Sequence, residues 1–187
     1  MAIGKGVKKT GKKGQKKKVI DPLSRKEWYQ LRAPAPFKAE SFGYTLANRT
    51  MGLKDSIKGR VVEAVQADLA PGQDAYAWRK IRLVIDDTRG RDALTSFYGV
   101  DMTRDQFCAL IKKRKTLIEA VQDIKSQDGY VLRVFAIAFT KESFGQKRKT
   151  NYALSSQQKS IRRKINEIIA KEISKANANQ ILNLFTS

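Results

Sequence analysis

The chain has 187 residues and carries 38 Lys and Arg against 18 Asp and Glu, a formal net charge of +20 with no histidine. Self-repulsion on that scale opposes a compact free state, so a polyanionic partner is expected, nucleic acid ahead of an anionic membrane surface. The absence of histidine excludes Ser-His-Asp, Cys-His and histidine-ligated metal chemistry. The single cysteine, Cys108, excludes an intrachain disulfide and cannot alone make a zinc site. The longest apolar run, Val134 to Phe139, falls far short of the roughly 20 residues of a membrane span, and no apolar h-region follows the basic N-terminus. The expectation is a soluble, intracellular chain of one domain with tails and no membrane partner.

Residues 1–18 hold Lys5, Lys8, Lys9, Lys12, Lys13, Lys16, Lys17 and Lys18, four glycines and no acid. Such a segment buries too little apolar surface to offset its ordering entropy, which predicts disorder in isolation. It reads as an arm that orders between RNA helices, its ammonium groups following phosphates. A solubilising tail or nuclear-import signal is the plainer alternative. Eight of the twenty net charges lie here, so the folded body keeps twelve.

Residues 19–40 read as an extended or irregular lead-in, punctuated by Pro22, Pro34 and Pro36. Trp28 and Tyr29 lie there between Lys26 and Arg32, placed either to dock the segment on its own domain or to stack on a base. From Phe42 the apolar period becomes two, predicting strands over 42–50, 59–69, 76–86 and 93–100. Turn signals at Gly52, Pro71-Gly72 and Gly90 separate them. A later hairpin is expected over 116–126 and 130–140, joined at Asp128-Gly129, a dipeptide suited to positive φ. Six alternating strands suggest a closed or half-closed antiparallel barrel, because closure removes exposed edges.

Between the two sets of strands, Thr103 and Gln106 form a capping-box pattern ahead of the stripe Phe107, Leu110 and Ile111. Cys108 on its flank is expected to be a small buried hydrophobe. The run Lys112-Lys113-Arg114-Lys115 follows, where a helix dipole favours cations. A longer helix is expected over 157–175, introduced by Ser155 and Gln158, with Ile161, Ile165, Ile168, Ile169 and Ile173 on one stripe. Lys159, Arg162, Arg163 and Lys164 crowd its first two turns against the dipole, just after Lys147-Arg148-Lys149. A cluster that repels itself and opposes the dipole points to an external phosphate at the helix start, with a solvated basic face as the alternative.

The acidic patch Asp86-Asp87 with Asp92 could hold magnesium as nucleases do. A turn with Arg89 and Arg91 as counter-charges explains it better, and no catalytic constellation, metal or cofactor is expected. Gly4-Lys5-Gly6 and Gly11-Lys12-Lys13-Gly14 lack the spacing and flanking strand of a phosphate-binding loop.

Several words along the chain narrow this further. They include Lys16-Lys17-Lys18-Val19-Ile20-Asp21-Pro22, Trp28-Tyr29, Ala33-Pro34-Ala35, Lys58-Gly59-Arg60, Ala67-Asp68-Leu69 and Asp101-Met102-Thr103-Arg104-Asp105. Further along come Asp128-Gly129-Tyr130, Phe139-Thr140-Lys141, Lys149-Thr150-Asn151-Tyr152-Ala153 and Ile161-Arg162-Arg163-Lys164. In this order and spacing, from about Lys12 to Lys175, the chain resembles the eukaryotic and archaeal small-subunit ribosomal protein family called S-three-a, or eS-one in the universal naming. The resemblance implies a β-barrel with flanking helices on the subunit platform, near the messenger exit and the 3′ end of the small-subunit rRNA. It also implies neighbouring platform ribosomal proteins as partners, mRNA and initiation factors as transient ones, no homo-oligomer, and cytoplasmic ribosomes with nucleolar passage in a eukaryote. Members of that family usually continue beyond the long helix, whereas this sequence ends at Phe185-Thr186-Ser187; a barrel completed by a later strand would be incomplete here.

The expected architecture is α+β: a basic disordered arm (1–18), a lead-in (19–40), an antiparallel β-barrel of about six strands with one short helix (41–154), and a helical region (155–187) packed on the barrel. Candidate rRNA contacts are the eight arm lysines with Trp28, Arg49, Lys58, Arg60, Lys147, Arg148, Lys149, Tyr152, Lys159, Arg162, Arg163 and Lys164. A permanent rRNA scaffold is the leading function, ahead of a transient assembly factor and of a nuclease.

Overall fold

The computed structural model describes residues 19–35, 37–48 and 56–186; the lysine arm, Arg49 and the Gly52 turn lie outside them. Among the described residues seven strands form: β1 (Lys26–Arg32), β2 (Ser41–Asn48), β3 (Val61–Val65), β4 (Arg79–Arg89), β5 (Asp92–Met102), β6 (Leu117–Lys125) and β7 (Val131–Phe139). The helices whose bounds lie within the described residues are α1 (Gln66–Leu69), α2 (Arg104–Leu110), α3 (Ser155–Ile173) and α4 (Ala178–Thr186). Strands β1 to β5 make one sheet in the order β2-β1-β5-β4-β3, and β6 with β7 makes a separate hairpin.

Side-chain alternation builds the large sheet. Along β4, Ile81, Leu83 and Ile85 are fully buried while their neighbours face outward, the period-two pattern of a half-buried strand. The residues read as an irregular lead-in hold β1, an interior strand. It pairs antiparallel with β2 and parallel with β5, Gln30 to Arg32 lying opposite Asp92 to Leu94. Tyr29 and Leu31 turn into the core, and Trp28 on the other face is 60% exposed. Just upstream, Asp21 Oδ1 accepts from Leu23 N–H at 3.0 Å and starts a short 3-10 turn at Pro22–Arg25.

The expectation of a single six-stranded antiparallel barrel is met only in part. One of the pairings is parallel, and among the described residues no ladder joins the five-stranded sheet to the hairpin. The large sheet nevertheless curls. Arg60, just ahead of edge strand β3, donates from Nη1 to Thr45 Oγ1 at 2.6 Å and to Leu46 O at 2.8 Å on the opposite edge strand, β2. Right-handed strand twist accumulates toward this shape, and Tyr29, Leu31, Ala47, Ile57, Ile85 and Ala93 fill the concave side.

Other expectations change in detail. The strand expected over 59–69 ends at Val65, and the turn of helix α1 that follows buries Gln66 and Leu69. Asp86 and Asp87 sit within β4, not in a turn after it. The ladder jumps between Ile85 and Asp87, making Asp86 the extra residue of a bulge. Helix α2 begins after Thr103 as expected, but that residue makes no side-chain capping bond. None of its residues is buried: Phe107 is exposed, as is Ile111 just past its end, and so is Cys108, contrary to the expected buried role. An apolar stripe needs a surface to cover it, and α2 lies outside the three core clusters.

The hairpin carries the helical region. Its turn places Gly129 at φ +88, with Ser126 N–H bonded to Tyr130 O at 2.8 Å; the Asp-Gly expectation rested on that positive φ. Ile173 of α3, Ala176 of the link that follows it and Ile181 of α4 pack on Ile124, Leu132 and Val134 of the hairpin and on Phe97 of β5. Leu182, one residue on, enters the core of the large sheet beside Leu69, Ile81 and Leu83. Helix α4 therefore wedges between the two sheets. The turn fixes its start: Asp128 Oδ2 accepts from Ala178 N–H at 2.9 Å, an acidic side chain on a helix N-terminal amide. No described helix is long and apolar enough to cross a membrane.

Candidate nucleic-acid interface

Three cationic runs meet at the open end of the β6–β7 hairpin. Arg114 takes a left-handed conformation, φ 69, and sets the chain into β6. Lys115 then pairs with Asn151 in an isolated parallel bridge, and Asn151 N–H donates to Arg114 O at 2.8 Å. Ala153 N–H donates to Thr116 Oγ1 at 2.9 Å, and α3 begins two residues later. The run Lys112–Lys115, read from sequence as simple helix chemistry, thus lies beside the loop carrying Lys147–Lys149 and ahead of the helix carrying Lys159–Lys164. The run itself was the signal. Its backbone bridge to Asn151 was not legible.

Residues 141–150 form a loop tied together by the side chain of Gln146. Its Nε2 donates to Arg148 O and Thr150 O, both at 2.9 Å, and to Asn151 Oδ1. Asn151, itself buried, donates from Nδ2 to Glu142 Oε1 at 3.1 Å, and its carbonyl accepts from Thr140 Oγ1. Gln146 thus satisfies the carbonyls of Arg148 and Thr150, while Lys147, Arg148 and Lys149 are exposed. Tyr152 is exposed just beyond them.

Helix α3 starts at Ser155, with Leu154 as its N-cap, not at the Ser155–Gln158 box expected. Leu154 N–H donates to Gln157 Oε1 at 3.0 Å, and Gln158 Nε2 donates to Ala153 O at 3.0 Å. Leucine offers no side-chain acceptor to the first-turn amides, which retain the positive end of the helix dipole. The helix then lies over β6, where Arg162 Nε donates to Glu119 O at 2.8 Å. A groove of ≈ 570 Å³ runs along the seam, lined by Gln122, Lys159, Arg162, Arg163, Asn166 and Glu167. Of the isoleucine stripe, Ile173 is buried and Ile165 and Ile169 are half-buried, while Ile161 and Ile168 stay exposed.

The remaining candidates divide. Lys147, Arg148, Lys149, Lys159 and Arg163 form no ion pair with a described residue, whereas Lys164 pairs with Glu167 at 3.2 Å. Lys58 sits 3.2 Å from Asp87, and Arg60 is spent on β2; both lie on the curled sheet, away from the hairpin junction. Trp28 lies on the outer face of β1 opposite Leu46. Lys5, Lys8, Lys9, Lys12, Lys13, Lys16, Lys17, Lys18 and Arg49 fall outside the described residues. Asp87 and Asp92 face cations, Lys58 and Arg32, and among the described residues no cluster of acids, cysteine or histidine is arranged to hold a metal.

Comparison with known proteins agrees with this basic body. Residues 14–187 match the model of the Ribosomal S3Ae family. The small ribosomal subunit protein eS1 of Tetrahymena thermophila is 54% identical over 171 residues, covering 88% of this chain and 64% of that protein. The chain thus spans a little under two thirds of the length of that relative. With nearly its whole length matched, the chain belongs to the Ribosomal S3Ae family.

Proposed function

We propose that this chain is a permanent structural component of the small ribosomal subunit, that it binds rRNA, and that it catalyses no reaction. The observation that carries the proposal is the hairpin junction. There, backbone bonds at Lys115, Asn151 and Ala153 bring together cations from three segments, of which only Lys164 has an acidic partner among the described residues. Such a cluster is stabilised when an anion replaces the missing partners, and phosphates of a folded RNA supply several at once. The arm lysines Lys5 to Lys18 would extend the same contact away from the body. Lys and Arg of this kind grip the backbone and fix register, so recognition rests chiefly on RNA shape.

In the finer reading, the curled sheet and hairpin act as one barrel-like body on the platform, near the messenger exit and the 3′ end of the rRNA. Neighbouring ribosomal proteins are its lasting protein partners, and mRNA and initiation factors transient ones. It works as a single copy on cytoplasmic ribosomes, after nucleolar passage in a eukaryotic cell. Sucrose-gradient sedimentation of a tagged copy tests this. Co-migration with small subunits through a high-salt wash is expected, and stripping by salt would point to a transient assembly factor instead.

A further inference from the structure

The loop over residues 141–150 presents one side chain that phosphate binding does not use. Ser143 to Gln146 form a tight turn: Gln146 N–H donates to Ser143 O at 3.2 Å, and Gly145 stands at φ +76. Positive φ at the third position marks a type II turn, with Phe144 at the second. The turn is braced a second time, because Ser143 N–H donates to Gln146 Oε1 at 3.3 Å. Phe144 at its tip is fully exposed and belongs to none of the core clusters. A phenyl ring left wholly in water forgoes the transfer free energy that burial would return. Here a cross-braced turn holds it there. Lys147, Arg148 and Lys149 follow directly, and the loop's one acid, Glu142, is turned inward to Asn151.

From this geometry we propose that Phe144 is a base-stacking residue, receiving the face of an unpaired nucleobase while Lys147, Arg148 and Lys149 hold the adjoining phosphates. The proposal rests on the RNA-binding reading above and adds to it a contact with bases. A flat ring and a cluster of cations within a few residues match the two parts of one nucleotide, a π-face and an anion. The ring reads no sequence, since every base has such a face; it selects single-stranded over paired nucleotides. The fixed turn lowers the cost of ordering the contact on binding.

The test uses the full chain and two RNAs of the same length: a stem–loop with an unpaired uridine loop, and its counterpart with the loop bases removed. The unaltered chain is expected to bind the base-bearing loop about tenfold more tightly, the scale of one aromatic stack. Phe144→Ala and Phe144→Leu should both abolish that preference, with abasic binding, salt dependence and thermal unfolding unchanged; Phe144→Trp should keep it. Equal weakening on both RNAs, an unchanged preference in Phe144→Ala, or a preference retained by Phe144→Leu would each overturn stacking, the last pointing to an apolar protein pocket as the natural partner. Combined Lys147→Glu, Arg148→Glu and Lys149→Glu should weaken both RNAs alike. If that variant binds both RNAs normally, or if the unaltered chain binds neither, the RNA-binding reading fails along with the stacking.

Discussion

Arg162 Nε donates to the backbone carbonyl of Glu119 at 2.8 Å, tying the cationic start of α3 to strand β6. Arg163, its neighbour in sequence, lines the same groove and makes no ion pair with a described residue. Two adjacent arginines thus differ, one bonded to the strand and one with no ion pair to a described residue. Arg162→Met is expected to lower stability by about 1 kcal/mol, the usual worth of one such bond. Arg163→Met should leave the unfolding midpoint in place and weaken RNA binding. Denaturant unfolding and filter binding on both variants separate the two effects, and matching losses of stability would refute the division.

Neutralising Lys147, Arg148 and Lys149 should flatten the dependence of log affinity on log salt by roughly 0.7–0.9 for each phosphate no longer neutralised. Lys58→Ala should leave the slope as it is, because Lys58 is paired with Asp87 on the curled sheet. Titrations across a range of salt concentrations measure both slopes. A change on Lys58→Ala equal to that of a loop lysine would count against the hairpin junction as the interface.

Gln146 fastens the loop through bonds to Arg148 O, Thr150 O and Asn151. Gln146→Leu removes these while keeping a side chain of similar length. Amides of residues 147–150 are then expected to exchange faster with solvent, and RNA affinity to fall several-fold as the loop loses its preorganisation. The core lies elsewhere, so global unfolding should shift little. Site-resolved hydrogen exchange reads the first effect directly.

Asp123 and Arg133 face each other across the hairpin in a two-pronged pair, Nε to Oδ1 at 2.7 Å and Nη2 to Oδ2 at 2.8 Å. The bonded guanidinium holds the Asp123 carboxyl below its ordinary value of 3.8. A depressed carboxylate stabilises the fold above its unfolded pKa, and that contribution disappears as pH falls through the folded value. The effect is therefore full at neutral pH and fades only below about pH 4. In Arg133→Met, Asp123 should titrate at an ordinary carboxylate value by NMR; an unmoved titration would show another cause.

Leu182 is fully buried among Leu69, Ile81 and Leu83. Leu182→Ala should cost about 2–5 kcal/mol, as large as a substitution within the sheet itself. A loss well under 1 kcal/mol by chemical denaturation would show that α4 is a dispensable appendage.

Alternation along β4 and the Asp-Gly turn made much of the fold legible, because both are local signals. Strand β1 was hidden by Pro22 and Pro34 on its flanks and by the brevity of its apolar face, only Tyr29 and Leu31. Its place inside the sheet depends on a parallel pairing with β5, which no neighbouring residue announces. Helix α2 failed the opposite way: Phe107, Leu110 and Ile111 have the spacing of a buried face, yet spacing does not say whether anything lies opposite. The basic loop and the α3 cations were visible as charge. From sequence Lys112–Lys115 reads as a helix end, and only the bridge at Asn151 places it beside the basic loop as well. Phe144 gave no signal, because exposure belongs to the folded chain.

The slot between β2 and β5 has a bearing on how the chain is made. Of the described strands β1 emerges first during synthesis, but the partner for its second edge is not translated until β2, β3 and β4 have followed. A pairing so distant in sequence forms slowly, as loop closure precedes its reward. Until Leu94 has emerged, the nascent chain carries a strand bonded on one side only, an edge open to wrong partners. That interval is when protection by a chaperone would matter most.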